Sequence, residues 1–181
     1  ADMFYTHAKL LERAGNFALE NGGESAITCL PVAETIQGDL SGYIQTNLMS
    51  MTDGHLLFKA ALRSQGQTPA IDLSLSVSRV GRQTQDQMTN LLSTRVRQVL
   101  SAAADLETIS RFSSELPEET QLILKRRDLI MEMLKQEPLT AVAKPLQAIL
   151  LALPFTTFLQ DKNRSFLERY KPIILNAFIR H

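Results

Sequence analysis

The sequence holds one cysteine, Cys29, among 181 residues, which excludes an internal disulfide. That suits a reducing compartment, and the setting Ile27-Thr28-Cys29-Leu30 reads as a buried strand thiol. Charge of either sign is not in excess: Lys+Arg and Asp+Glu both number 19. A nucleic-acid binder usually shows a basic surplus, so that class is excluded. No long hydrophobic run is present either. The most apolar stretch, Leu146 to Phe155, is too short to cross a bilayer as a helix. The three histidines, His7, His55 and His181, show no metal-ligand spacing, and no metal site is expected. No secretory leader, internal repeat or low-complexity tract is read. The phosphate-cradling pattern G-x-x-x-x-G-K-[ST] is missing, so no loop here holds a triphosphate alone.

What remains is the composition of an ordinary globular chain, 44% hydrophobic and 21% charged. It is long enough for one or two domains with a core. The first part mixes helix and strand signals. Leu10, Leu11, Ala14 and Phe17 predict a helix over 4–20, stopped by Asn21-Gly22-Gly23. Compact apolar runs predict strands at 26–33, 48–52 and 70–77. In the last, Ile71, Leu73, Leu75 and Val77 alternate with Asp72, Ser74 and Ser76. Strands interleaved with helices and turns predict a parallel sheet, with ligands beyond the carboxyl ends of its strands. Ser50 and Arg79 fall at such ends in this reading.

The second part predicts helices only. Met88, Leu92, Val96, Val99, Ala103 and Leu106 recur at three- and four-residue spacing within a helix over 85–112. Pro117 with Glu118 and Glu119 marks a second start. A third, apolar helix carries Leu146, Ile149, Leu150 and Leu153, limited by Pro145 and Pro154. A fourth, from about residue 164, carries Phe166, Leu167, Tyr170, Ile173 and Ile174, with Pro172 as a possible kink. The expected fold class is an α/β or α+β domain over 1–83 followed by an all-α bundle over 84–181.

The stretch Leu73-Ser74-Leu75-Ser76-Val77-Ser78-Arg79-Val80-Gly81 places an arginine just past a strand, with hydroxyl residues before it. The planar guanidinium suits a phosphate better than any other side chain. The bland alternative is an arginine paired with a carboxylate. Ser50 and Ser78 have hydroxyls that could donate to a phosphate or orient the arginine, or simply satisfy nearby backbone. Lys125-Arg126-Arg127 reads as a solvated helix face.

Several long motifs occur in the order found in the alpha subunit of the F-type rotary ATP synthase. Asp2-Met3-Phe4-Tyr5-Thr6-His7-Ala8-Lys9-Leu10-Leu11-Glu12-Arg13-Ala14 resembles that family's D-V-F-Y-x-H-S-R-L-L-E-R-A. Ser25 to Thr35 resembles S-x-T-A-L-P-V-I-E-T, and Gly38-Asp39-Leu40-Ser41-Gly42-Tyr43-Ile44 resembles G-D-V-S-A-Y-I. Thr46-Asn47-Leu48-Met49-Ser50-Met51-Thr52-Asp53-Gly54 resembles T-N-V-I-S-I-T-D-G. The S-V-S-R-V-G wording around Arg79 separates alpha from its partner beta.

The resemblance implies the last strands of a RecA-like P-loop nucleotide-binding domain and then a helical carboxyl-terminal domain. The P-loop half lies upstream in the family, so the chain is expected to be a piece of a longer polypeptide. It would be inactive and without a cofactor alone, but part of the proton-transporting ATPase as a complex. By resemblance Arg79 is an arginine finger lent to ATP on beta, with Ser50 and Ser78 near the phosphates. A further nucleotide, not turned over, would sit against Pro69 and Gln136. Two departures bear on that pocket: Thr68 replaces the arginine before the proline, and Glu137-Pro138 follows Gln136 where a second glutamine is expected. Implied ligands are ATP or ADP with Mg2+ in the full assembly. Implied partners are the beta, gamma and delta subunits, with membrane contact only through other subunits, at the cytoplasmic face of a bacterial plasma membrane or the organelle equivalent. The alternatives are a non-enzymatic helical interaction module, or a subunit of another hexameric ATPase.

Overall fold

The structure, a computed structural model, describes residues 2–110 and 117–179. The expected helix end at Phe112, and His181, lie outside the described residues. The chain divides into two compact units, Ala1–His55 with Ser78–Gly81, and Leu56–Val77 with Arg82–His181.

In the first unit, α1 (Asp2–Leu11) opens on an acid and carries Lys9 in its last turn. Both signs match the helix dipole. The helix then stops short of the predicted Glu20, because Gly15 costs about 1 kcal/mol more than alanine in a helix interior. Instead β1 (Gly15–Ala18) pairs antiparallel with β2 (Glu24–Ile27), Gly15 facing Ile27 and Phe17 facing Ser25. Asn21-Gly22-Gly23 is the hairpin turn rather than a helix stop. Gly22 takes φ 81°, a region open to glycine, and its N–H donates to the Leu19 carbonyl at 3.0 Å.

β2 ends at Ile27, so the strand predicted over 26–33 is mostly not formed. Among the described residues no strand lies beside 28–33 to take its backbone groups. Leu30 and Val32 are left 81% and 95% exposed. Cys29 is exposed too, not buried as its apolar neighbours implied. The predicted strand at 48–52 is the end of a helix, α2 (Tyr43–Met51). Ile44, Leu48 and Met51 share one face at helical spacing, a period that a five-residue window hides. β3 (Gly54–His55) follows. It forms a two-stranded sheet with β4 (Val77–Ser78). No wider parallel sheet is formed among the described residues.

In the second unit, the alternation over 70–77 gives an isolated bridge from Ile71 to Phe58, then a turn, not a continuous strand. Asp72 causes this. One carboxylate oxygen accepts from Ser74 N–H at 2.9 Å, Ser74 Oγ–H at 2.6 Å and Leu75 N–H at 3.1 Å. The other meets Lys59 Nζ at 2.6 Å. Such local bonds compete with a strand ladder. Ser76 is buried in consequence, its Oγ donating to the Asp72 carbonyl at 2.6 Å and accepting from Leu57 N–H at 3.0 Å. Burial raises the Asp72 carboxyl, but Lys59, Ser74 and Leu75 together outweigh it and hold the pKa at about 2.

The helices follow their predicted faces more closely. α3 (Ala60–Ser64) is short. α4 (Gln87–Ser110) starts at Asp86, whose carboxylate accepts from Thr89 N–H at 2.8 Å as an N-cap. Leu92, Val96 and Ala103 are buried, while Met88 is exposed. α5 (Glu118–Leu134) starts after Pro117, with two acids in its first turn. α6 (Lys144–Ala152) takes Pro145 in its first turn, and α7 (Arg164–Ile179) carries Pro172 inside. Leu129 and Met133 of α5, Leu146 and Leu150 of α6, Leu159 of the short turn Thr157–Leu159 and Leu167 of α7 form the core.

Two buried charges sit at the end of α5. Glu132 accepts ion pairs from Lys135 at 2.7 Å and Arg164 at 3.2 Å. Lys171 donates to the Glu132 carbonyl at 2.7 Å and to the Lys135 carbonyl. Burial holds the Lys171 pKa below its ordinary value, against the pull of Glu132.

Two tests follow from this packing. Leu167→Ala should lower the unfolding free energy by about 2–5 kcal/mol, read from urea melts, since the side chain is fully buried. Asp72→Asn should destabilise by about 1 kcal/mol at pH 7, after allowance for solvent at its half-exposed Lys59 partner. Asp72 has a lower pKa folded than unfolded, so its contribution is whole above about pH 4 and fades as the pH falls through about 2. The two proteins should therefore converge in stability over that window. An unchanged gap at pH 2 would refute the role given to Asp72.

Candidate functional site

Arg79 stands directly after β4 and is exposed. Its backbone N–H donates to the Asp53 carbonyl at 2.8 Å. The terminal nitrogen Nη2 turns back and donates to the carbonyls of Met49 and Thr52. Those carbonyls belong to the last turn and C-cap of α2. Carbonyls at a helix end lack intrahelical donors and carry partial negative charge, so a cation settles there readily.

Ser50 lies between these two carbonyls in the chain, on α2 and not at a strand end. The fold ties the helix end that carries it to Arg79 through the Met49 and Thr52 carbonyls. Its hydroxyl donates to the Asn47 carbonyl at 2.7 Å, the local backbone bond common for serine near a helix end. The hydroxyl oxygen can still accept, and the residue is exposed. Ser78 is the last residue of β4. The chain folds back on it, so that a Cβ at position 81 would lie 2.9 Å from its Oγ.

Pro69 and Gln136 are brought together in the second unit by their backbones. The Gln136 N–H donates to the Thr68 carbonyl at 2.7 Å, next to a cis Thr68–Pro69 bond. The Gln136 side chain donates to the Thr140 carbonyl, within its own loop. Sequence reasoning passed over Arg63. This last-turn residue of α3 donates from Nη1 to Thr68 Oγ1 at 3.0 Å. A guanidinium is thus present at Thr68 although the residue itself has none. The only signal was a basic residue one helical turn and a bend upstream.

A cleft of about 690 Å³ opens nearby, with Gln67, Glu107, Arg127, Glu132, Lys135 and Arg164 in its walls. Its cations are engaged: Arg127 with Glu107 and with Asp128 at 2.9 Å, Lys135 and Arg164 with Glu132. A phosphate entering would have to displace these pairs. Among the described residues no group of three or more His, Cys, Asp or Glu side chains could hold a metal ion. Among them no helix is long and apolar enough to cross a membrane.

Comparison with known proteins agrees with the order of these elements. Residues 1–78 match the ATP synthase alpha/beta family, nucleotide-binding domain, and residues 85–180 match the ATP synthase alpha/beta chain, C terminal domain. The chain is 37% identical to ATP synthase subunit alpha 1 of Mycoplasmopsis pulmonis, over 98% of this chain and 33% of that protein. It is 39% identical to ATP synthase subunit alpha of Mycoplasmoides gallisepticum, over 97% of this chain and 34% of the relative. With the subunit alpha of Mycoplasma genitalium it shares 44% identity over 75% of this chain and 26% of the relative. The chain thus spans about a third of the length of the curated relatives it matches. Two adjoining family matches and an alpha-type likeness over nearly all residues place it: the chain belongs to the ATP synthase alpha/beta family.

Proposed function

We propose that this chain works within an ATP synthase alpha subunit, and that Arg79 acts in trans on ATP bound by the neighbouring beta subunit. The observation that carries the reading is Arg79 itself: an exposed guanidinium whose backbone is fixed by Asp53. Phosphoryl transfer spreads negative charge over the equatorial oxygens, and a guanidinium placed against them is worth roughly 10³ to 10⁵ in rate. Supplied from another subunit, that effect exists only while the interface is closed. Chemistry is thereby tied to assembly geometry.

In this reading Ser50 and Ser78 supply hydroxyls at the phosphate end. The triphosphate on which Arg79 acts, with its Mg2+, belongs in this reading to the beta subunit's site. The division between the nucleotide-binding part and the helical part is placed at 83/84. Beta, gamma and delta subunits are the partners. The complex lies at the cytoplasmic face of the bacterial membrane, reaching the proton-driven motor through other subunits. Alpha's own nucleotide, which is not turned over, belongs at Pro69 and Gln136. There Arg63 offers a guanidinium where Thr68 has none.

The test uses the alpha–beta head with Arg79→Ala in full-length alpha. Turnover should fall about 10³-fold or more while nucleotide binding to beta stays within about twofold, the mark of an interaction made only in the transition state. Unchanged turnover would remove the trans role.

A further inference from the structure

We propose that the carboxyl end of α2 is a resting berth for the Arg79 guanidinium, and that Thr52 is the positioning residue that shapes it. The proposal rests on the trans role of Arg79 given above.

Nη2 of Arg79 is committed to the Met49 and Thr52 carbonyls. A bidentate grip on a phosphate needs two adjacent N–H groups of the guanidinium. With Nη2 held, that grip is closed, and the helix end competes with the phosphate for the same nitrogen. The berth has the chemistry to compete. It offers two carbonyls at the negative end of a helix dipole to a cation that never loses its charge.

Thr52 makes the berth available. Its N–H and its Oγ–H both donate to the one carbonyl of Leu48, at 3.0 and 2.8 Å. Its own backbone is extended, φ −90° and ψ 157°. The helix therefore stops there, and the Thr52 carbonyl leaves the helical direction. The Asp53 carbonyl fixes the Arg79 backbone to the same turn at 2.8 Å. Only the arginine side chain has to move between berth and phosphate, and the travel is a change of rotamer rather than of fold.

The experiment is a double-mutant cycle on MgATP hydrolysis by the alpha–beta head, with full-length alpha carrying Thr52→Val, Arg79→Ala or both. Valine keeps the shape but removes the hydroxyl donor. Thr52→Val alone should raise kcat/KM about threefold, the effect of loosening one neutral hydrogen bond. In the Arg79→Ala background the same change should do nothing. A loss or gain equal in both backgrounds means that Thr52 is only structural, and overturns the proposal. So does no effect in either.

A second measurement separates the berth from the trans role. Hydrogen exchange of the backbone over 49–54 in the nucleotide-free head should be faster in Arg79→Ala than in the native protein, since the side chain no longer ties the turn. Equal exchange overturns the berth whatever the kinetics. Faster exchange with undiminished turnover of Arg79→Ala supports the contact, and overturns its coupling to catalysis.

Discussion

A helix ends with carbonyls that have no donor left inside it, and each unit of this chain closes one such end with a cation from a distant stretch. At the end of α5 the cation is Lys171, carried by α7. At the end of α2 it is Arg79, carried from beyond β4. Each contact fixes where a later segment lies against an earlier helix. In the first unit the fixed segment holds the residue proposed to reach the phosphate. In the second it holds α7 across the end of α5, beside the Leu129 and Leu167 core.

The two caps differ in cost. Lys171 is buried, and burial disfavours its charge. The Glu132 carboxylate offsets this, yet Glu132 also receives Lys135 and Arg164. Removing one member of such a cluster leaves a buried charge unpaired, which is why buried groups of this kind hold position so firmly. Arg79 is exposed, and water can replace what the helix end supplies. A cap that water can replace is one that can be left. The same chemistry thus makes a permanent fastening in one place and a reversible one in the other.

The helical part was legible because its faces are amphipathic. Leu92, Val96 and Ala103 turned inward as their spacing required, and Glu118 and Glu119 opened α5. The first part was harder to read. Met49 and Ser50 lie in an apolar run too short to tell a strand from the helix it ends. The 70–77 alternation was overruled by Asp72, whose side chain bonds outweigh a period of two. Arg79 was legible as a residue type in a motif, but its partners were not. They are backbone carbonyls, which carry no sequence signature. Arg63 was missed for a related reason, since its contact with Thr68 joins two side chains that no spacing rule connects.

The bond between Gln136 and Thr68 joins main-chain atoms alone. Any residue but proline at 136 can donate it, and any residue at 68 can accept it. The join is therefore blind to mutational drift at both positions. Exchange of the side chain at 68 leaves this join intact. Selection at these two sites then acts on what their side chains touch, and the fold imposes little of its own.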